Sequence, residues 1–505
     1  MITTTRRQFM AGIAATSGLL ATRSWAFNNN SHRTLKPIPV IDTLNSVETP
    51  VRLDLQMAQH NFGNGTLSDT FGINGTYLGP IVRVRKGQET AFELTNKINE
   101  PAAIHWHGLH IPGSLDGGPH QALEVGATWK PVLPIANPAS LNFYHAHTHG
   151  STGYQVYQGL AGVLIVEDDN SLAADLPKTM GVDDFVLVLQ DKKLDSTGSV
   201  VFSPSNVNDT LAVNGTLAPT LQKVAPGLVR LRVLNASNGA FIKLSLSENQ
   251  PMHVIASDGG FLTKPVSTDF IILSPGERYE ILVDASHPVS LMTVRFDDEE
   301  IIAKPGIVDT TSKTTPVMAV ALVPDKNKRG FTGSLPTNLS VLPAAEPKAA
   351  QRIRSFDLSE DVPQRFSSIA PTLGNRCYGK NQIAMGINGR PMDMNFINEA
   401  VPTGEYEIWR VTSQDGAHPF HIHGCSFRIL KQMGVTPPDY ASGWKDMIYA
   451  APGSVSELLV KFDHKADSKT PYMYHCHILK HEDCGMMGQF TVEDHATPYS
   501  APVAV

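Results

Sequence analysis

Alternating apolar and polar residues around glycine turns recur three times along the chain. One element reads Val82-Arg83-Val84-Arg85-Lys86-Gly87 before Phe92-Glu93-Leu94, then Pro226-Gly227 before Val229-Arg230-Leu231-Arg232-Val233, then Gly404 before Tyr406-Glu407-Ile408-Trp409. A second follows Gly126, then Pro275-Gly276 before Tyr279-Glu280-Ile281-Leu282-Val283, then Pro452-Gly453 before Glu457-Leu458-Leu459-Val460. A period of two sends successive side chains to opposite faces, so each run predicts a strand with one buried face and each glycine a tight turn. Three copies in about 460 residues predict an all-β chain of three consecutive Greek-key β-sandwich domains. The expected layout is domain 1 over 36–168, domain 2 over 172–324, a linker over 325–350 marked by Pro343 and Pro347, and domain 3 over 351–494.

Composition agrees with this pattern. Glycine and proline number 40 and 35 in 505 residues, which suits many turns between short strands. Charged residues are 18% of the chain and the net charge is −7, with no Lys/Arg block. Neither nucleic acid nor an anionic membrane is therefore expected as a partner. Residues 1–26 read as an export address: Thr5-Arg6-Arg7-Gln8-Phe9-Met10 has the twin-arginine form, an apolar run spans 11–21, and Ser24-Trp25-Ala26 offers a cleavage site. No later segment approaches the roughly 18 consecutive apolar residues of a membrane span. The expectation is a periplasmic or secreted bacterial protein, carried by the twin-arginine machinery and monomeric.

The chemistry lies in the histidines. Nineteen are present, and eight form four His-x-His pairs: His105/His107, His145/His147, His421/His423 and His475/His477. In an extended strand His475 and His477 share one face while Cys476 points to the other. One strand can thus serve two metal sites, with a thiolate for one and two imidazoles for its neighbour. His481 and Met486 follow five and ten residues after Cys476, close enough for a loop to return them to the thiolate. These describe most of a blue-copper electron-transfer site, lacking only a second histidine, which the upstream stretch His418-Pro419-Phe420-His421-Ile422-His423 can supply. Structural zinc sites favour several cysteines on short knuckles, which this pattern lacks.

The four segments resemble the copper motifs of the multicopper oxidases, the family of laccases, bilirubin oxidases and bacterial copper-efflux oxidases. The resemblance is nearest to the copper-efflux branch, through His105-Trp106-His107-Gly108-Leu109 with Asp116-Gly117-Gly118-Pro119, and through His481-Glu482-Asp483 with Gly485-Met486-Met487. It covers essentially the whole chain after residue 26 and implies cupredoxin-like domains holding four copper ions. Carried over by position, His418, Cys476, His481 and axial Met486 resemble the type 1 ligands, and His105 and His421 the type 2 pair. His107, His145, His147, His423, His475 and His477 resemble the ligands of the binuclear type 3 centre. His149 shares the strand parity of His145 and His147, but the family does not use that position. Asp116 and Glu482 match acids beside the cluster that deliver protons for the reduction of dioxygen. The middle copy reaches Met252-His253-Val254 and then Thr293-Val294-Arg295-Phe296 without a ligand cluster, so domain 2 is expected to be a copperless spacer.

The resemblance implies an oxidase that couples one-electron oxidation of a donor to four-electron reduction of dioxygen. Copper-efflux members carry a methionine-rich insertion over the type 1 site, whereas between Cys377 and His418 only Met385, Met392 and Met394 occur here. That favours a phenol or aromatic amine as donor, with Asp415 available as proton acceptor. Cu(I) is the alternative donor, and a non-catalytic copper-binding or scaffold member the further one. Non-catalytic members lose ligands, and this chain has all twelve. With Cys476 a ligand, Cys377, Cys425 and Cys484 remain, so at most one internal bridge is possible. Cys425 with Cys484 is the leading pair, against three buried thiols.

Overall fold

The computed structural model describes residues 33–45, 49–362 and 384–494. The expected export address and Cys377 lie outside the described residues. The chain is nearly all β, and three double-sheet units follow one another in cupredoxin fashion.

All six repeat glycines take left-handed backbone conformations: Gly87, Gly126, Gly227, Gly276, Gly404 and Gly453 have φ between 71 and 107°. Side chains with a Cβ rarely tolerate that region, which is why the turn residue is the same in every copy. Each turn feeds a strand: Glu89–Lys97, Leu228–Asn235 and Tyr406–Ser413 follow the first set. Thr128–Trp129, Arg278–Asp284 and Ser456–Lys461 follow the second. Alternation then builds the cores. In Val51–Asn61, Leu53 and Leu55 are fully buried while Arg52 points outward.

One sheet in each unit repeats the same ladder. In the first, Ile81–Arg85 runs parallel to Ala161–Glu167, which pairs antiparallel with Ser140–Ala146, which pairs with Ile104–His107. In the third, Glu399–Pro402, Met487–Glu493, Tyr472–Cys476 and His418–Ile422 take the same places. His105 stands opposite His145, and His421 opposite His475. Within each sheet, register therefore puts two His-x-His pairs side by side. The middle copy keeps the ladder with Thr220–Val224, Val317–Pro324, Val289–Phe296 and Phe241–Leu246. The strand opposite Thr293 is thus Phe241–Leu246, not the Met252-His253-Val254 run that spacing suggested; Met252–Ser257 pairs in the other sheet.

The polar face of Leu228–Asn235 is buried: Arg230 and Arg232 are each 2% exposed. Acids of the same unit pair with them, and Glu167 of the first unit approaches Arg232. Arg232 donates from Nε and Nη2 to Asp184 at 2.9 and 2.8 Å and from Nη1 to Glu280 at 3.2 Å, with Glu167 of the first unit 3.6 Å away. A buried charge is tolerated only when paired in this way. Arg232→Met strands Asp184, whereas Glu280 keeps Arg230, and should cost about 3–5 kcal/mol of unfolding free energy. Denaturant titration checks this, and an unchanged midpoint would mean that water reaches the pair.

Candidate metal centre

Strand and helix geometry assemble a thiolate site in the third unit. Cys476 ends the strand Tyr472–Cys476, His418 opens His418–Ile422, and His481 sits on the short helix Leu479–Asp483. The Cys476 Sγ is 3.6 Å from His418 Nδ1 and 3.8 Å from His481 Nδ1, and the two nitrogens are 3.3 Å apart. Bonds of about 2.0 Å to nitrogen and about 2.3 Å to thiolate around one ion produce this kind of triangle. Met486 is fully buried and tied in by its backbone: its N–H donates to His481 O, and its carbonyl accepts from Cys476 N–H at 3.0 Å. The Ile478 N–H lies 3.4 Å from Sγ and favours the thiolate. Burial pushes the Cys476 thiol well up, so an ion must displace its proton. Burial holds His481 well below the usual histidine range and His418 down at about 4, leaving both neutral.

The eight paired histidines converge between the first and third units. Their ring nitrogens fall into buried groups able to hold an ion: His105/His107/His421, His107/His145/His477 and His147/His423/His475. His475 Nε2 lies 3.2 Å from His147 Nε2 and 3.3 Å from His423 Nε2. Two nitrogens about 2 Å from one ion at a near-tetrahedral angle are spaced this way. Six of the eight rings donate from their other nitrogen. His105 Nδ1 donates to Asp116 O, His421 Nδ1 to Asp446 O, His145 Nδ1 to Ala146 O, His475 Nδ1 to Cys476 O, His423 Nδ1 to Asp116 Oδ2 at 2.7 Å and His107 Nε2 to Asp446 Oδ1 at 3.1 Å. Those bonds fix the tautomer and turn the bare nitrogen inward. Among the described residues His105 Nε2, His107 Nδ1, His145 Nε2, His421 Nε2 and both nitrogens of His477 have no hydrogen-bond partner. Burial, followed by neighbouring imidazoles, keeps His107, His145, His421 and His423 well below the histidine range, and His477 near 3. Inward lone pairs with no proton between them repel unless cations lie among them, so the donor set fits metal ions.

The two acids expected beside this cluster are there. Asp116 is fully buried, accepts from His423 through Oδ2, and leaves Oδ1 without a partner among the described residues. Glu482 lies 3.1 Å from His475 Nδ1 and 3.4 Å from His147 Nδ1. Burial alone would raise its carboxyl, but these imidazoles outweigh it and hold it well below the carboxylate range. His149 is half-buried and belongs to none of the candidate ion-holding groups.

The structure overturns the expected bridge. Cys425 is a free buried thiol, whereas Cys484 is disulfide-bonded to a partner outside the described residues. Cys425 follows the His421/His423 strand, and chain proximity to a ligand did not predict pairing.

Two groups escaped the sequence reading, Asp446 and Arg278. Their signal was a Lys445-Asp446 pair abutting the apolar strand Met447–Ala450, and an arginine two residues after Gly276. One sequence cannot show that such charges are buried.

Near the thiolate site an open depression of about 400 Å³ is lined by Asp298, Glu299, Ile301, Glu360, Asp415, Gly416, Ala451 and Pro452. Glu360 Oε1 is 3.8 Å from His481 Nε2. Burial, then the Asp297 contact and the charges of Asp297 and Glu360, push Asp298 up to about 8. Asp298 comes from the middle unit and packs on Gly416, so the depression spans two domains. Met385 and Met392 are buried elsewhere, in the third core and beside Met473 and Met487.

Three family models, each described as multicopper oxidase, match residues 54–171, 168–303 and 361–496. The chain belongs to the multicopper oxidase family. It is 36% identical over 495 residues to the cell division protein FtsP of Escherichia coli K12, covering 96% of this chain and 98% of that one. Among solved structures it is similar to a laccase-like multicopper oxidase, CueO, from an Ochrobactrum species, with 36% identity and a TM-score of 0.80 over 91% of this chain and all of that one. It also resembles a metallo-oxidase of Campylobacter jejuni, with 25% identity and a TM-score of 0.75 over 92% and 95% of the two chains.

Cys476→Ser should abolish the intense blue absorption of the copper-loaded protein while copper on the histidine cluster is retained. Visible spectroscopy with metal analysis checks this, and a serine variant that is still blue would remove the thiolate assignment.

Proposed function

We propose that this chain is an exported four-copper oxidase that takes single electrons from a small donor and passes them to dioxygen. His418, Cys476, His481 and Met486 hold the type 1 ion, and His105 and His421 the type 2 ion. His107, His145 and His477 hold one type 3 ion, and His147, His423 and His475 the other. Bound copper supplies one-electron storage at the thiolate and, at the cluster, conversion of dioxygen, four electrons and four protons to two waters. The convergence of all four His-x-His pairs on one buried volume, with the thiolate triangle one residue away, carries this reading. Cys476 is joined through its own backbone to His475 and His477, so a covalent path links the two sites.

The protein's own work is proton handling and exclusion of water. Asp116 holds the His423 ring and passes a proton through Oδ1, which has no partner among the described residues. Glu482 serves the opposite side, between His147 and His475. The N-terminal twin-arginine segment supports a periplasmic or secreted location, and among the described residues no helix is long and apolar enough to cross a membrane.

The donor is a phenol or aromatic amine docking in the depression beside His481. Its carboxylates offer acceptors for the proton that leaves with the electron, Asp415 among them, and they attract a protonated amine. The oxidase activity of the Ochrobactrum relative towards lignin model compounds and lignosulfonate supports an aromatic donor. Cu(I) prefers thioethers, and among the described residues no methionine lines the depression. A scaffold role in cell division is favoured by one finding, the full-length similarity to FtsP. Retention of all twelve ligand residues favours the oxidase.

Dioxygen uptake by the copper-loaded protein with a dimethoxyphenol, with free copper chelated, should be measurable. Loss of that activity alongside fast Cu(I) oxidation would establish the cuprous donor, and no uptake with any donor would favour the scaffold. Asp116→Asn should slow reoxidation by dioxygen by about 100-fold or more while donor still reduces the blue site. Transient kinetics with an unchanged reoxidation rate would reduce Asp116 to a turn residue.

A further inference from the structure

Domain 2 brings a turn, residues 275–278, against the histidine cluster. At Gly276, φ is +84° and an added Cβ would fall 2.8 Å from His477 Nε2, so only glycine lets the turn approach. Two residues on, Arg278 is fully buried and reaches all three domains. Its Nε donates to Leu141 O of the first unit at 2.9 Å. Nη1 donates to Asp446 Oδ1 at 2.5 Å and to Gly276 O at 3.2 Å, and Nη2 to Asp446 Oδ2 at 2.6 Å and to Asp258 O at 3.3 Å.

A guanidinium has five N–H donors, and these contacts use all five. That count decides the state of His107. Its Nε2 lies 3.1 Å from Asp446 Oδ1 and 3.2 Å from Arg278 Nη1, one acceptor and one donor. With the Nη1 hydrogens directed at Asp446 Oδ1 and Gly276 O, the proton is assigned to Nε2, which donates it to the Asp446 carboxylate. The Nδ1 lone pair is then bare, and His107 groups with His145 and His477 as ion-holding residues. Were Asp446 turned away, Arg278 could donate to Nε2. The His107 proton would move to Nδ1, where it would block an ion. Asp446 also accepts from His421 Nδ1 through its carbonyl. Asp258 fixes the Asp446 backbone in turn, accepting from its N–H at 3.2 Å and from Lys445 Nζ at 2.9 Å.

We infer that Arg278 of domain 2 is a positioning residue for the trinuclear site: by clamping Asp446 it selects the His107 tautomer that binds through Nδ1. The inference rests on the oxidase proposal and gives the middle domain a direct part in the site, beyond spacing. Removal of such an outer partner typically weakens a metal site about 10–100-fold.

The test compares the whole protein with Arg278→Met, Arg278→Lys and Asp446→Asn, using metal analysis, chelator competition and visible spectra after copper loading. Arg278→Met and Asp446→Asn should keep the blue absorption of the Cys476 site and lose copper from the histidine cluster, with cluster affinity down about 10–100-fold. Arg278→Lys, which keeps the charge without the fork, should fall between. If Arg278→Met does not fold, Asp446→Asn, which nearly preserves volume, decides. Folded variants with wild-type copper content and affinity would overturn the inference. Wild-type protein that binds no copper at either site would overturn the oxidase proposal and this inference with it.

Discussion

Eight buried imidazoles aim bare nitrogens at one another, and the surrounding structure is arranged to hold them there. Neutral rings are required, and burial supplies them by pushing His107, His145, His421, His423 and His477 below the histidine range. Orientation is required too, and acceptors on the far side of the rings supply it: the carbonyls of Asp116, Ala146, Asp446 and Cys476 and the carboxylates of Asp116 and Asp446. Without cations between them these lone pairs would repel, so the apoprotein stores an electrostatic cost that bound metal relieves.

That constraint explains why the domains cannot be independent. Each ligand sheet places two pairs side by side by register, but ion-holding groups such as His147/His423/His475 draw on both sheets. The first and third units must therefore stay docked. The middle unit is wedged against the same volume through Gly276 and Arg278, and against the first unit through Arg232 near Glu167. Polar faces that would be solvated in a lone sandwich become buried ion-pair networks at these junctions.

Under the proposed function the thiolate site has the opposite need, as the point where electrons enter. His418 and Cys476 are fully buried, while His481 Nε2 turns toward Glu360 at the rim of the acidic depression. The carboxylates of that depression come from the second and third units, so it is built by an interface and not by one domain.

Much of this was legible in the chain. Period-two alternation and six turn glycines specified a threefold β repeat, because strand parity and left-handed turns are local properties. The His-x-His and His-Cys-His patterns marked the candidate ligands for the same reason: parity alone separates Cys476 from His475 and His477. The pairing partners were not legible. Asp446 meets Arg278 across 168 residues, and Asp116 meets His423 across 307. Nothing local marks those charges as buried rather than solvated. The middle copy's ligand-position strand was misplaced by spacing alone, since hydrogen-bond register and not residue count decides which strand faces which. Cys425 looked like a disulfide partner because it follows a ligand strand, yet it is free, for a bridge needs two Cβ atoms about 4 Å apart in space. Local chemistry was written in the sequence; which groups share a buried volume was decided only by docking three domains around it.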